Sequence, residues 1–392
     1  MKKILSIIII TVILLSVSSP AFAETKGKTE AESNNFYDDI DFGVSVGAAY
    51  LCEASTGKVI YAMNEFKAAS PASVTKIMTL LLVCEAIEEG KYSLDDTVRV
   101  SARAASMGGS QVFLEEGEKI SVEDLIKSAV IASGNDASVA LAELTAGSEA
   151  SFVKMMNARA AELGLKNTHF ENCTGLDDTT TNHYSSAADI ALMSRELIKH
   201  DFILKYSSIW QDSIRNGEFV LTNTNRLVRY YDGCNGLKTG STDKAGYCVS
   251  TTAKRGNMQL IAVIMGAQTR DDRNEAARAL LDYGFANYAL FERGEEFIEN
   301  AHVLGGRSDS IPLYSTAFSI LISKSELNLI ELEYEIPEEI AAPISMGSSV
   351  GKIIYSVGGK QIGSSDIISG ENVDSIGLGE LFSRILKRIV CG

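Results

Sequence analysis

The chain has 392 residues, 45% of them hydrophobic, with 36 Lys and Arg against 51 Asp and Glu for a formal charge of −15. Such a length and composition indicate two or three domains with a sizeable core and exclude disorder as the default state. So acidic a balance excludes nucleic acid as a partner, and the scattered His169, His183, His200 and His302 give no metal-ligand spacing, so neither a metal nor another cofactor is expected.

The first element is a leader. Lys2 and Lys3 precede an apolar run from Ile4, and Ala21 and Ala23 flank Phe22, which reads as a signal peptide over residues 1–23 and predicts export. The apolar run is shorter than the roughly 20 residues of a membrane span. Cleavage removes two lysines and none of the 51 acidic residues, so the charge moves from −15 to −17. Six cysteines remain: Cys52, Cys84, Cys173, Cys234, Cys248 and Cys391. An exported protein can pair them, but no C-x-x-C spacing occurs, and Cys52 and Cys84 sit in apolar patterns like ordinary core residues.

Residues 24–37 read as a polar tether. "FGVSVGAAYLCEASTGKVIYAMN" then predicts a hairpin about the turn "STGK". A helical block follows in "VTKIMTLLLVCEAIEEG", "VEDLIKSAVIASGNDASVALAELTAG", "EASFVKMMNARAAELGL" and "SAADIALMSRELIKH". Strand character returns in "KAGYCVSTTAKRG" and "MQLIAVIMGAQT", and "RNEAARALLDYGFANY" is a closing helix. Strands, helices, strands and a helix predict one α/β or α+β domain over residues 38–293 whose sheet joins both ends of the segment. From Gly294 to Gly370 the pattern changes to short strands and glycine turns, a small all-β domain without a catalytic grouping. In it, Ile330, Leu332, Tyr334 and Ile336 alternate with Glu331, Glu333 and Glu335 as in a half-exposed antiparallel strand. Residues 371–392 end in an amphipathic helix. Leu378, Leu381, Phe382, Ile385, Leu386 and Ile389 share a face, with Arg384, Lys387 and Arg388 off it. This predicts a helix lying on a membrane surface, with docking on the protein itself as the alternative.

The pattern S-x-x-K occurs five times and is weak alone. Ser55 to Lys58 falls in a turn, Ser151 to Lys154 on a helix, Ser241 to Lys244 after a strand and Ser349 to Lys352 in the β-rich part. Ser73 and Lys76 differ in opening an apolar helix that should be buried. Positions three apart share a helix face, so Lys76 reaches the Ser73 hydroxyl. Burial disfavours its ammonium form and leaves an amine able to accept the serine proton. The helix start offers backbone N–H groups to a developing negative charge. "SGN" (Ser133, Gly134, Asn135) and "KTG" (Lys238, Thr239, Gly240) follow in that order. Alone, each reads as a turn or a strand end; together with Ser73 and Lys76 they are the signature of penicillin-interacting serine enzymes.

With "PASVTKIMT", "HYSSAADIALMSREL", "DGCNGLKTGSTDKAGYC" and "IAVIMGAQTRDDRNEAARALLDYGF", essentially the whole chain resembles the low-molecular-mass penicillin-binding proteins that are serine-type D-alanyl-D-alanine carboxypeptidases. The resemblance implies an α+β penicillin-binding-protein/β-lactamase-like transpeptidase fold, an antiparallel sheet with a helical block, followed by a small all-β domain and a membrane-attached terminal helix. It implies as substrate the D-Ala-D-Ala end of a peptidoglycan stem peptide, with β-lactam antibiotics as inhibitors and attachment to the outer face of the cytoplasmic membrane. It also implies roles: Ser73 as nucleophile, Lys76 as proton acceptor, and Ser133 and Asn135 relaying protons and holding the substrate amide. Lys238 and Thr239 would recognise the terminal carboxylate, with Gly240 leaving room for a peptide along the strand. The backbone N–H groups of Ser73 and Ser241 would form the oxyanion hole. Arg273 resembles a family arginine near the carboxylate site, its plain alternative being a surface partner of Asp271 or Asp272.

A glycine stands in the middle of the second motif, so relay there falls to Ser133 and Asn135 alone. His169 and His183 lie in no recognised Ser-His-Asp setting. A β-lactamase would share the acylation chemistry, but "ENCTGLDD" offers Glu171 without an asparagine at the "ExxxN" spacing of a deacylation segment. A silent wall-binding protein of the same fold is the other alternative, and the intact Ser73, Lys76, Ser133, Asn135 and Lys238 speak against it.

Overall fold

The computed structural model describes residues 43–178 and 180–391, apart from the side chains of residues 388 and 391. The expected signal peptide and expected tether, the Arg388 side chain and the Cys391 thiol lie outside the described residues. Five antiparallel strands form the main sheet, in the order Val59–Met63, Ala48–Glu53, Met258–Ala267, Gly246–Arg255, Cys234–Thr242. The N-terminal hairpin thus joins the late strands, with Tyr50 opposite Val263. The run "LIAVIM" is continuously apolar because the strand is covered on both faces. Leu260, Ala262 and Ile264 pack with Leu51, Ile60 and Val249 against Ala277, Leu280 and Leu281 of the helix Arg270–Asn287. Ile261, Val263 and Met265 face the helical block on the other side. Gly284 lets that helix sit close, since a Cβ there would come within 2.5 Å of Leu260 Cδ1. A capping box between Thr269 and Asp272 starts the helix.

The helix Lys76–Glu88 runs through the centre of the block and is buried nearly all round, from Ile77 to Cys84 without interruption. Ser73 precedes it in a 3₁₀ turn, Ala72–Thr75, rather than on the α-helix itself. The long helical stretch after Val122 is divided into Val122–Val130 and Asn135–Ala146. Ser133 lies in the break with φ +64°, a left-handed conformation that a serine holds only against a steric cost.

The later β-rich part has a six-stranded sheet, in the order Ile330–Glu335, Ser349–Val357, Lys360–Ser369, Ser310–Ser315, Phe297–Leu304, Glu339–Ala341. Its small core gathers Ile311, Leu313, Ile353, Tyr355 and Ile367, with Phe318 stacked on Tyr355. The strand Tyr288–Arg293 pairs with Phe318–Ser323, so β structure of this part begins ahead of Gly294. The strand Ile330–Glu335 is an edge, and even Leu332 and Tyr334 on its apolar side are exposed. The terminal helix Leu378–Cys391 leaves Leu378, Phe382 and Ile389 exposed. The Arg384 guanidinium is bound to Asp309 Oδ1 at 2.8 Å and to the Arg307 carbonyl, while Arg307 pairs with Glu380. A carboxylate on the same protein therefore holds Arg384.

Candidate active site

The 3₁₀ turn, the break at Ser133 and the edge strand Cys234–Thr242 meet at one cleft of about 650 Å³ whose walls include Ser73, Ser133, Thr239, Gly240, Ser241 and Arg273. Lys76 is fully buried and its Nζ contacts three oxygens: Ser73 Oγ at 2.9 Å, Asn135 Oδ1 at 2.6 Å and the Thr174 carbonyl at 2.9 Å. Burial lowers its pKa from 10.5 to about 7, with Cys173 and Asp136 opposing the shift. A neutral amine has two N–H donors and one lone pair. Asn135 Oδ1 and the Thr174 carbonyl can only accept, so they take the two N–H groups and leave the lone pair to the Ser73 O–H. Asn135 is fixed in that orientation because its Nδ2 donates to the Gly108 carbonyl at 2.7 Å.

Across the cleft, the buried Lys238 donates to Ser133 Oγ and to the Thr239 carbonyl, both at 2.8 Å. Burial, then the charges of Lys76 and Arg273, hold its pKa well below the usual lysine value. Lys238, Thr239 and Gly240 lie inside the strand. Gly240 has a reason beyond leaving room for a peptide: a Cβ there would stand 2.7 Å from Ser73 N and 2.9 Å from Pro71 O and Val74 N. The strand therefore runs directly against the nucleophile turn, with Ser241 the next residue along. Arg273 does not pair with Asp271 or Asp272. It is buried, lines the cleft and donates to Asn274 Oδ1, and burial lowers its pKa to about 10.

Several parts of the site carry no sequence signal of their own. Asp136 accepts from Val112 N and Leu114 N and so pins the chain near Gly108. His183 Nδ1 accepts from Glu171 N at 3.0 Å, which puts the ring proton on Nε2, where it donates to Thr75 Oγ1 at 2.8 Å. Gly175 presses on Ala72 so closely that only glycine fits. Glu171 accepts from Thr181 N and Asn182 N, contacts that hold its own loop. Of the other S-x-x-K serines, Ser55 donates to Glu53 and Ser151 contacts Ser148 at a helix cap. Cys52, Cys84, Cys173, Cys234 and Cys248 are free thiols.

A serine served by one buried lysine, faced by a second serine and lysine at the edge of an antiparallel sheet, places the molecule among the penicillin-interacting serine hydrolases. Comparison with known proteins narrows the class. The chain belongs to the D-alanyl-D-alanine carboxypeptidase family, which it matches over residues 35–269, and residues 285–375 match the C-terminal domain of penicillin-binding protein 5. It is 42% identical to D-alanyl-D-alanine carboxypeptidase DacF of Bacillus subtilis, covering 99% of this chain and 98% of that protein. Penicillin-binding protein 5 of Haemophilus influenzae is similar in structure, with a TM-score of 0.74 and 32% identity over 85% of this chain and 98% of the other. The ampicillin-bound penicillin-binding protein D2 of Listeria monocytogenes has a TM-score of 0.58 and 31% identity over 62% of this chain and 99% of its own.

Proposed function

We propose that this enzyme removes the terminal D-alanine from peptidoglycan stem pentapeptides through an acyl-enzyme on Ser73, and that β-lactams are trapped at the same serine. The observation that carries this reading is the three-oxygen environment of Lys76, which leaves a neutral amine lone pair for the Ser73 proton. In this reading the substrate carboxylate lies between Lys238, Thr239 and Arg273, and its charge offsets the three buried or cleft-lining cationic and polar groups there. Ser73 Oγ attacks the penultimate D-Ala carbonyl as its proton passes to Lys76 Nζ. The backbone N–H groups of Ser73 and Ser241 stabilise the oxyanion. When the C–N bond breaks, the departing D-Ala nitrogen takes that proton through the Ser133 hydroxyl, while Asn135 holds the substrate amide. Water then attacks the ester with Lys76 accepting its proton, Lys76 returns that proton to Ser73 Oγ as the ester C–O bond breaks, and the shortened peptide leaves as a carboxylate, its acid proton lost to solvent.

Intact-mass measurement after penicillin treatment tests the assignment. One drug molecule should add, peptide mapping should place it on Ser73, and Ser73→Ala should abolish it. An adduct on another serine would refute the nucleophile, and rapid loss with many turnovers would favour a β-lactamase.

The place of action is proposed as the outer face of the cytoplasmic membrane, after export by the N-terminal signal. The support is the exposed apolar face of the helix Leu378–Cys391, while no described helix is long and apolar enough to cross a membrane.

A further inference from the structure

The cleft continues beyond the position of the terminal carboxylate. Gly240 packs on the nucleophile turn and Thr239 is the next residue of the strand. Thr239 Oγ1 donates to Thr224 Oγ1, and the neighbouring Asn223 N donates to the Trp210 carbonyl. These contacts lead outward from Ser73 to a stretch of the wall formed by Trp210, Arg226, Tyr230 and Arg270. Arg229 lies 5.3 Å from the Trp210 ring and 5.5 Å from that of Tyr230, which holds the two aromatics as one surface. A departing D-alanine, with a single methyl group, has no use for this extension.

Charge is concentrated there as well. Arg226, Arg270 and Arg273 line the same cleft in a chain whose formal charge is −15. Arg226 has the exposed Asp271 at 3.8 Å, Arg273 hydrogen-bonds the neutral Asn274, and Arg270 has no carboxylate partner among the described residues. Three guanidiniums with one loosely held carboxylate repel one another and leave an electrostatic site open for an anion.

Resting on the carboxypeptidase reading above, we propose that Arg226 and Arg270 form a subsite for the side chain of the departing residue, so that besides D-alanine the enzyme accepts a leaving D-amino acid that carries a second carboxylate. Its aliphatic stem lies along Trp210 and Tyr230.

Full-length enzyme offered diacetyl-L-Lys-D-Ala-D-Ala and the same peptide ending in D-Glu or D-Gln provides the test. The last two differ in charge with little change of shape. The wild type should cleave the D-Glu peptide about tenfold better than the D-Gln peptide in kcat/KM, the difference lying in KM. Arg226→Gln and Arg270→Gln should each lower this ratio at least roughly threefold, and Arg226→Lys should keep most of it. Penicillin labelling monitors folding of the variants, and the wild-type ratio needs no variant. A wild-type ratio of one or below, or a ratio unchanged in the double Gln variant, overturns the subsite. Failure of the wild type to cleave even the D-Ala-D-Ala peptide overturns the carboxypeptidase reading, and the subsite with it.

Discussion

Lys76 is a cation sealed from water without a carboxylate in hydrogen-bond contact, and the pH at which it becomes neutral decides both rate and stability. With its pKa lowered from 10.5 to about 7, holding it folded costs about 5 kcal/mol at acid pH, a large fraction of a domain's net stability. Acylation needs the amine, so the second-order rate constant for penicillin should rise about tenfold per pH unit up to about pH 7 and then level, measured by stopped-flow fluorescence. A flat profile would remove Lys76 as proton acceptor. The unfolded chain keeps this proton up to about pH 10.5 and the folded one releases it at about 7, so the unfolded state binds more protons in that window and stability rises with pH across it. Lys76→Met lacks this linkage. The difference in Tm between wild type and Lys76→Met should therefore move in favour of the wild type from pH 7 to pH 9, with acylation by the variant nearly abolished throughout. His183 bears on the same turn. Burial lowers its pKa to about 4, so at neutral pH it stays the uncharged clamp between Glu171 N and Thr75 Oγ1.

At the level of elements, the approach of the strand Cys234–Thr242 to the turn Ala72–Thr75 sets the geometry of the reaction. Gly240→Ala would place a methyl 2.7 Å from Ser73 N, on one of the two proposed oxyanion donors. The backbones must part. Penicillin acylation should fall by about two orders of magnitude, whereas overpacking one strand edge costs about 1–3 kcal/mol and leaves a folded protein by circular dichroism. Near-normal acylation would show that the strand yields without moving the turn. The sequence made most of this architecture legible, because the N-terminal hairpin, the helical block and the late strands have strong periodicity and clear turns. It also pointed to Ser73, Lys76, Ser133, Asn135 and Lys238, which the fold brings into two hydrogen-bonded groups. It was silent about the Thr174 and Gly108 carbonyls, since every residue has a backbone oxygen and only tertiary structure selects one. Edge position escaped it too. Alternation in "IELEYE" fixes which residues share a face, but strand order decides that Leu332 and Tyr334 stay open to solvent.

On the scale of the whole molecule, the terminal helix is tied at Arg384 and Glu380 to Asp309 and Arg307 of the β-rich part, and its apolar face is left outward. Truncation after Asp374 should release the proteolytically intact, penicillin-labelled enzyme from vesicles containing anionic lipid, which the full-length mature form should bind. Equal flotation of both forms would place the anchor elsewhere, and equal solubility would mean the helix does not serve as one. The pairing of Ala48–Glu53 with Met258–Ala267 carries a further consequence. The second strand of the main sheet in spatial order cannot find its central partner until some two hundred more residues have been delivered, and Gly240 follows Ser73 only 167 residues later (240 − 73). Under the export proposed above, a chain arriving N-terminus first on the far side of a membrane must therefore hold its opening hairpin and much of its helical block in waiting, exposed to proteases and to other chains. Penicillin reactivity is then a clock for maturation: radiolabelled chains emerging from translocation should gain it in one step, only after Ala267 has cleared the pore, however long Ser73 has already been outside.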